Sequence, residues 1–140
     1  MAKQTYTLDF DGYWREPAMG RIPDKSGIYC VFSCVHNQAE KTVSLKKLIY
    51  IGESGNVKSR LANHEKLGDW KTHVKQGEVL CFSFAPAPPD SRVRCEAAML
   101  FKHRPPANTE YTEAFPHDET AISITGKTEL LKTNFTVQCT

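Results

Sequence analysis

The feature of the chain that most constrains its fold is a pair of short apolar runs separated by polar residues. Residues 28–35 and 48–52 are both rich in β-branched and aromatic side chains, and a turn signal at residues 24–27 precedes the first run. Apolar runs of this length between turn signals are typical of buried strands. A polar stretch, residues 36–47, lies between them, so the sequence predicts an antiparallel hairpin with a long polar loop.

A helical pattern follows the second run. Val57, Leu61 and His64 recur at the spacing of one helix face, which predicts an amphipathic helix that continues to residue 67. Ser54 or Asn56 is the expected N-cap, because both side chains accept a hydrogen bond from a free backbone N–H. Residue 68 is a glycine, which is typical of a helix end.

Further helix and strand patterns occupy the rest of the chain. We expect a short helix within residues 69–76 and a longer one that begins at Asp90 or Ser91 and ends near residue 103. The two prolines after it cannot continue a helix. Alternating or apolar residues predict the remaining strands, at residues 6–10, 79–84, 121–125 and 135–138.

Composition excludes several classes of protein. With 140 residues, 40% of them hydrophobic and 24% charged, the chain is expected to form one globular domain and not a disordered chain or a coiled coil. The longest apolar stretch, residues 27–35, is far shorter than the roughly 20 residues of a membrane helix, and no signal peptide is recognisable. No membrane partner is therefore expected. The chain has five cysteines, an odd number, and no C-x-x-C pair, which favours a cytoplasmic location.

Positive charge is concentrated in one part of the chain, although the formal net charge is only +2. Residues 41–75 contain eight Lys or Arg and three Asp or Glu, a net charge of +5, whereas the flanking segments are slightly acidic. Such a segment is typical of a surface that faces phosphate groups. A solvated, lysine-rich helix face has the same pattern, so charge alone leaves both interpretations open.

Glu96 lies where an apolar residue is expected. It falls in the helical stripe formed by Val93, Ala97 and Leu100, and a carboxylate that faces a core is costly unless it is paired or binds a cation. An ion pair, for example with Arg92 one turn back, is the alternative to a cation site.

Arg60 and His64 lie one helical turn apart and flank the stripe of Val57 and Leu61. This spacing allows both side chains to reach back over the sheet. A solvent-facing arginine and a packed histidine are the alternative, which the sequence leaves open.

The order of these residues resembles the signature of the GIY-YIG nuclease family. Gly27-Ile28-Tyr29 and Tyr50-Ile51-Gly52 match the two tripeptides of that signature, although either one alone is ordinary strand interior. Arg60 follows the second tripeptide, Glu96 lies in a predicted helix, and Asn108 comes just after the two prolines. The ordered set of five elements makes the resemblance specific.

The resemblance, which covers residues 26–108, implies a small mixed α/β (α+β) domain. Its core would be a central antiparallel sheet of at least three strands flanked by helices, with extra strands possible from the termini. It also implies a metal-dependent endonuclease that hydrolyses phosphodiester bonds in DNA, one strand per active site. Glu96 would be the sole protein ligand of one Mg²⁺ or Mn²⁺, with water and phosphate oxygens in the other positions. The metal would act as a Lewis acid on the scissile phosphate.

The resemblance assigns catalytic roles to five further residues. Arg60 would hold phosphate oxygens with its planar guanidinium. A tyrosine would be the general base for the attacking water; we favour Tyr29 for this role and Tyr50 as its positioning partner, although the sequence does not separate them. Because a free tyrosine has a pKa near ~10, the base needs positive charge from Arg60 and the metal. His64 would contact phosphate or relay the proton, and Asn108 would fix the cleft through hydrogen bonds.

The chain departs from the family pattern in three ways. Twenty residues separate the tripeptides, which implies an insertion in the hairpin loop. Glu53 stands where some members have a lysine, and it is expected to touch the water shell of the metal or to cap the following helix. No appended DNA-binding domain is recognisable, so specificity is expected from the flanks, the loop, a homodimer or a partner protein.

The expected partner is DNA, and RNA stays open as a substrate. The cations expected to bind its phosphates are Lys46, Lys47, Lys58, Arg60 and Lys71. The alternative function is a non-catalytic nucleic-acid-binding module that retains the GIY-YIG fold. It predicts salt-dependent binding without metal-dependent cleavage. Glu96 argues against it, since binding alone does not require a carboxylate in an apolar stripe.

Overall fold

The computed structural model describes residues 3–110 and 113–140, and a six-stranded sheet forms its centre. The strands are β1 (Gln4–Arg15), β2 (Gly27–Asn37), β3 (Thr42–Ser54), β4 (Val79–Pro86), β5 (Thr120–Gly126) and β6 (Asn134–Val137). The helices are α1 (Val57–Ala62), α2 (Leu67–Lys71), α3 (Pro89–His103) and a 3₁₀ helix at Glu16–Arg21. The strands lie in the order β3-β2-β4-β1-β5-β6. The predicted α+β domain is confirmed, including the extra strands from both ends of the chain.

The hairpin of β2 and β3 is longer than predicted, and the expected long polar loop is wrong. Its antiparallel ladder continues to the pair of Asn37 and Thr42, so the turn comprises only residues 38–41. Most of the polar stretch 36–47 is therefore strand. The polar composition suggested a loop, because many side chains at this end of the hairpin are exposed to solvent. The backbone groups of these residues are nevertheless paired in the ladder.

Strand β1 joins the two parts of the sheet. Its first half, from Gln4 to Phe10, pairs in parallel with β5, and its second half, from Asp11 to Arg15, pairs antiparallel with β4. β4 also pairs with β2, and β6 pairs antiparallel with β5. The terminal segments, which lie outside the GIY-YIG resemblance, therefore belong to the same sheet as the two tripeptides.

The helix predicted up to residue 67 is too long, because it ends at Ala62. The short helix predicted within residues 69–76 is present, but it begins earlier, as α2. Asn56 is the N-cap of α1, and its side-chain oxygen accepts a hydrogen bond from Ser59 N at 3.0 Å. α1 ends at Ala62, and Gly68 lies inside α2 instead of ending a helix. His64 lies in the turn between them. Its spacing from Val57 and Leu61 matches that of a helix face, although the residue is not helical and is buried by the turn.

Helix α3 has the predicted length but a different buried face. Neither Asp90 nor Ser91 caps it with a side chain. Val93, expected in the apolar stripe, is 44% exposed. The buried hydrophobic residues of α3 are Cys95, Ala97, Ala98, Met99 and Leu100. Glu96 is half-buried beside this face, so its surroundings are partly apolar although the predicted stripe through Val93 is wrong.

Side chains pack on both faces of the sheet. On one face, α3 packs with Ile28, Cys30 and Phe32 of β2 and with residues of β1, β5 and β6. On the other face, Tyr29 and Val31 pack with α1, with α2 and with Ile22, which follows the 3₁₀ helix. The alternation of β2 side chains explains this division, since successive residues of a strand point to opposite faces. It places Tyr29 under α1 and α2.

No helix within the described residues is long and apolar enough to cross a membrane. The five cysteines are all free thiols, four of them buried and Cys139 exposed.

Candidate active site

The two glycines of the tripeptides lie at close contacts. A Cβ atom at Gly52 would overlap the Cζ and Oη atoms of Tyr29, which is its partner in the β2–β3 ladder. A Cβ atom at Gly27 would overlap the carbonyl oxygen of Ala85 and the ring of Phe84. Neither position therefore has room for a side chain. At Gly52 in particular, the absence of a Cβ atom leaves space for the Tyr29 ring.

Four rings form one cluster beneath α1 and α2. Tyr29 and Tyr50 lie on neighbouring strands with ring centroids 6.2 Å apart, in a stacked arrangement. The His64 ring packs edge-on against both, at 5.9 and 5.7 Å. Trp70, which is fully buried, lies 4.3 Å from His64 and 5.1 Å from Tyr50. The tyrosines thus share one side of the sheet, and Trp70 is the core residue that packs against the histidine.

His64 is bound from both sides of its ring. The backbone N–H of Lys66 donates to Nδ1 at 3.1 Å, and Nε2 lies 2.8 Å from the hydroxyl oxygen of Tyr29. Burial, together with the charge of Arg60, lowers the pKa of His64 to about 4, so the ring is neutral at pH 7. Because Nδ1 accepts a hydrogen bond, the single ring proton lies on Nε2, and Nε2–H donates to Tyr29 Oη.

Burial raises the pKa of both tyrosines. Tyr29 is 1% exposed, and burial, followed by the nearby Tyr50, holds its pKa well above the ordinary range, whereas Arg60 acts in the opposite direction. The pKa of Tyr50 is raised by burial and then by the charge of Glu96. Both hydroxyls are therefore protonated at neutral pH in the protein alone, and the single charge of Arg60 does not offset burial.

Arg60 is paired with a residue that the sequence did not single out. Its guanidinium donates two hydrogen bonds to the carboxylate of Glu65, at 2.7 and 2.9 Å. The Arg60 side chain is 34% exposed and Glu65 is more exposed. This fork-to-fork geometry is the one that arginine also forms with a phosphate group. Glu65 was missed because the predicted helix placed it one position beyond His64 on a continuous helix, whereas the helix ends before it.

Glu96 has an environment that disfavours its charge. Burial is the main cause, and repulsion by Glu53 and Glu110 adds to it, so the pKa of Glu96 is raised to about 8. The alternative ion pair with Arg92 is not formed: Arg92 binds the carboxylate of Glu53 and donates to Ser26 Oγ at 3.0 Å. Within residues 3–110 and 113–140, no ion pair or hydrogen bond to the Glu96 carboxylate is found.

A divalent cation fits this position chemically. A carboxylate that is half-buried, lacks a donor and faces two further acids is stabilised by a cation, and Mg²⁺ is often held by one or two carboxylates with water completing the shell. In the described part of the chain, no group of three or more His, Cys, Asp or Glu side chains is arranged to hold a metal. Glu53 does not cap α1, because Asn56 does, and its carboxylate binds Arg92.

Asn108 holds the edge of strand β3. Its Nδ2 donates to the carbonyl oxygen of Ile51 and its Oδ1 accepts from the N–H of Ile51, both at 2.9 Å. The N–H of Ala107 donates to the carbonyl oxygen of Ile49 at 3.0 Å. The segment after α3 thus pairs with β3 between Tyr50 and Gly52, and it fixes the second tripeptide.

The cations predicted to bind phosphate are not brought together in one place. Lys46 and Lys47 lie on β3, Lys58 lies on α1, and all three are exposed. Lys71 lies on α2 and forms an ion pair with Glu16 at 3.2 Å. Arg60 alone of the five lies close enough to the tyrosines to change their pKa.

Comparison of the chain with protein-family models, with curated proteins and with solved structures finds no significant match. The likeness to GIY-YIG nucleases therefore rests on the sequence signature alone.

Proposed function

We propose that this chain is a divalent-metal-dependent endonuclease of the GIY-YIG type that hydrolyses phosphodiester bonds in DNA, one strand per active site. The observation that supports it best is the environment of Glu96. Its carboxylate is half-buried and has no partner in the described residues, and its negative charge contributes to the raised pKa of Tyr29 and Tyr50. A fold gains no stability from such a group, whereas a cation site requires it.

Glu96 would hold Mg²⁺ or Mn²⁺, and when bound the ion supplies Lewis-acid activation of the phosphate and stabilises the leaving oxygen. Arg60 would bind a non-bridging phosphate oxygen pair. Because Glu65 occupies the guanidinium in the free protein, the substrate phosphate must replace this carboxylate. The exchange is inexpensive, because both side chains are in contact with solvent, which weakens the ion pair.

Tyr29 is favoured over Tyr50 as the general base, because within the described residues a hydrogen-bond donor is found at the hydroxyl oxygen of Tyr29 and not at that of Tyr50. Nε2–H of His64 donates to Tyr29 Oη and stabilises the oxyanion form of the phenol. In this tautomer His64 is a donor to the base, whereas the expected proton relay needs the proton on Nδ1. Tyr50 packs against Tyr29 and would position it.

The proposal includes DNA as the partner, with RNA as a possible substrate because it carries the same phosphodiester. A cytoplasmic location also belongs to it, supported by the five free thiols. A homodimer or a partner protein would supply sequence specificity beyond the single cleft.

The test separates the nuclease from the binding module on one substrate. An end-labelled DNA duplex is mixed with wild-type protein and with Glu96→Ala, Tyr29→Phe and the control Glu40→Ala, whose side chain is exposed in the hairpin turn. Binding is measured with chelator by anisotropy, and cleavage is measured with Mg²⁺ or Mn²⁺ on a gel.

We expect cleavage by the wild type and Glu40→Ala, with a loss of at least about a hundredfold in Tyr29→Phe and Glu96→Ala, as for the removal of a general base or metal ligand. Unchanged cleavage by Glu96→Ala would disprove the assignment. Binding without cleavage by the wild type in either metal would favour the binding module.

A further inference from the structure

A strongly basic cavity lies beside the middle of strand β3, close in sequence to Tyr50 of the candidate active site. Its volume is about 300 Å³, and β3, the end of α3 and the loop before β6 enclose it. Of the residues that the structure describes, no Asp or Glu lines it, whereas five cationic side chains do: Lys46, Lys47, Lys102, Arg104 and Lys132. Three of them, Lys102, Arg104 and Lys132, lie outside the basic segment that the sequence indicated.

These cations have no ion-pair partner in the described part of the chain. The ion pairs found there are Lys3–Glu119, Arg60–Glu65, Lys71–Glu16 and Arg92–Glu53. A group of like charges that stays unpaired destabilises a fold through mutual repulsion. Its presence is therefore better explained by an anionic ligand than by stability.

The cavity is held together by a specific set of contacts. Nε2 of His103 accepts a hydrogen bond from the N–H of Lys132 at 2.8 Å, and Nδ1 lies 2.9 Å from the carbonyl oxygen of Met99. The loop before β6 is thereby tied to the end of α3. Arg104 ends the helix in a left-handed conformation, with its guanidinium 4.9 Å from the ring centroid of Phe101. The backbone thus fixes Lys132 and Arg104 against the same helix end.

The cavity and the candidate active site share one edge of the sheet. Lys46 precedes Tyr50 by only four residues on β3. Pro105 and Pro106, which also line the cavity, lead directly to Asn108, which holds Ile51.

We propose that this cavity binds the phosphodiester backbone of a DNA duplex, at a second phosphate of the strand whose scissile phosphate is held at Arg60 and Glu96. The inference rests on the proposed function and adds a second contact to it. It gives the C-terminal flank, which lies outside the GIY-YIG resemblance, a role in substrate binding through Lys132. A backbone is favoured over a small anion because the cations come from three separate elements along an open surface.

The experiment measures the salt dependence of duplex binding, because each phosphate contact contributes about 0.9 to the slope of log affinity against log salt concentration. Wild-type protein, Lys132→Gln, Lys102→Gln and the double variant are each titrated into a fluorescent duplex. Chelator is present in every titration, so that the duplex is not cleaved. Lys3→Gln, at an exposed lysine of the N-terminal segment, is the matched control. All of these side chains are exposed, and thermal unfolding verifies that each variant is folded.

We expect each cavity variant to lower the slope by about 0.9 and the double variant to lower it by about 1.8, while Lys3→Gln leaves it unchanged. Lys132→Arg, which keeps the charge, is expected to retain the wild-type slope. Wild-type slopes in both single variants and in the double variant would overturn the proposal. Displacement of the duplex by low-millimolar inorganic phosphate at constant ionic strength would also overturn it, in favour of a small-anion site.

The same preparations separate this inference from the proposed function. Cleavage by the wild type together with unchanged slopes in the cavity variants would leave the nuclease intact and reject the cavity. Lowered slopes together with no cleavage in any metal would establish the cavity as a DNA-binding site and reject the nuclease.

Discussion

At the scale of single residues, the half-buried carboxylate of Glu96 lowers the stability of the fold that contains it. Its pKa is raised to about 8, mainly by burial. The folded state therefore holds the proton more tightly than the unfolded state. The contribution of Glu96 to the free energy of unfolding is therefore most favourable below the pKa of this residue in the unfolded chain, near ~4.5. This contribution is lost as the pH rises toward 8.

Glu96→Gln is expected to stabilise the metal-free protein at pH 8, by roughly 1–3 kcal/mol, because it removes a buried, unpaired charge. At tenfold excess over its dissociation constant, Mg²⁺ is expected to raise the free energy of unfolding of the wild type by about 1.4 kcal/mol, and its melting temperature accordingly. Mg²⁺ is expected to leave the stability of Glu96→Gln unchanged. Thermal unfolding with and without metal checks both effects. Equal metal-dependent shifts in the two proteins would show that Glu96 is not the ligand.

His64 has the opposite linkage to pH. Burial lowers its pKa to about 4, so the unfolded state binds the proton more tightly between pH 6.5 and pH 4. The stability that this residue contributes is present above pH 6.5 and is lost as the pH falls toward 4. The loss amounts to at most roughly 3 kcal/mol.

His64→Gln is therefore expected to flatten the acid side of the stability profile, since glutamine does not titrate. Denaturant unfolding at several pH values between 4 and 7 measures the difference in slope between this variant and the wild type, and the shared carboxylates cancel in that difference. Parallel profiles would mean that His64 has the same pKa in the folded and the unfolded protein, which would contradict the buried, neutral ring described here.

At the scale of elements, the close pairing of β2 with β3 depends on Gly52, and its close pairing with β4 depends on Gly27. Gly52→Ala places a methyl group on Cζ and Oη of Tyr29, and overpacking of this kind typically costs ~1–3 kcal/mol. Gly68→Ala is the matched control: nothing lies within 4 Å of its Cβ position, and alanine in α2 is favoured over glycine by up to ~1 kcal/mol.

We expect Gly52→Ala to destabilise the protein and to reduce cleavage through displacement of Tyr29, while Gly68→Ala is neutral or stabilising and fully active. Chemical denaturation and the duplex cleavage assay measure these effects. Equal stability of the two variants would contradict the packing of Tyr29 on Gly52.

Local patterns in the sequence were sufficient for the strands but not for the ends of the elements. The buried runs around Tyr29 and Tyr50 and the short strands near the C-terminus were predicted because their apolar composition is local. The exposed end of the hairpin and the break after Ala62 were not, because ladder pairing and the burial of His64 depend on distant residues.

The same distinction holds for the candidate site. The sequence indicated Glu96, Arg60 and His64 as unusual, since a polar residue beside an apolar pattern is visible locally. The pairing of Glu65 with Arg60 and the support of His64 by Trp70 needed the fold, because both contacts depend on the turn between α1 and α2. Lys132 was invisible as part of a basic cavity, since it lies far along the chain from Lys46.

At the scale of the whole molecule, the flanks are part of one structure with the tripeptides. Phe135 and Val137 of β6 pack in the same core as Ile28 and Cys30 of β2. β1 connects β4 to β5, so the sheet passes without interruption from the predicted site to the C-terminal strands. The position of Lys132 beside α3 therefore depends on the complete fold.

One site of the proposed kind cuts one strand, so the molecule as a whole is expected to nick DNA. Open-circular plasmid should accumulate before linear plasmid as a monomer acts, whereas simultaneous appearance of linear plasmid would indicate a dimer. This expectation follows from a single Glu96 and a single Arg60 in each chain's candidate site.

The most direct test of the central claim is a time course of supercoiled plasmid conversion with Mg²⁺, with Mn²⁺ and with chelator. The wild type is compared with Glu96→Gln and with Glu40→Gln, a matched change at an exposed turn. We predict metal-dependent nicking by the wild type and Glu40→Gln and none by Glu96→Gln. Nicking by Glu96→Gln at the wild-type rate, or persistence of nicking in chelator, would contradict the assignment of this site.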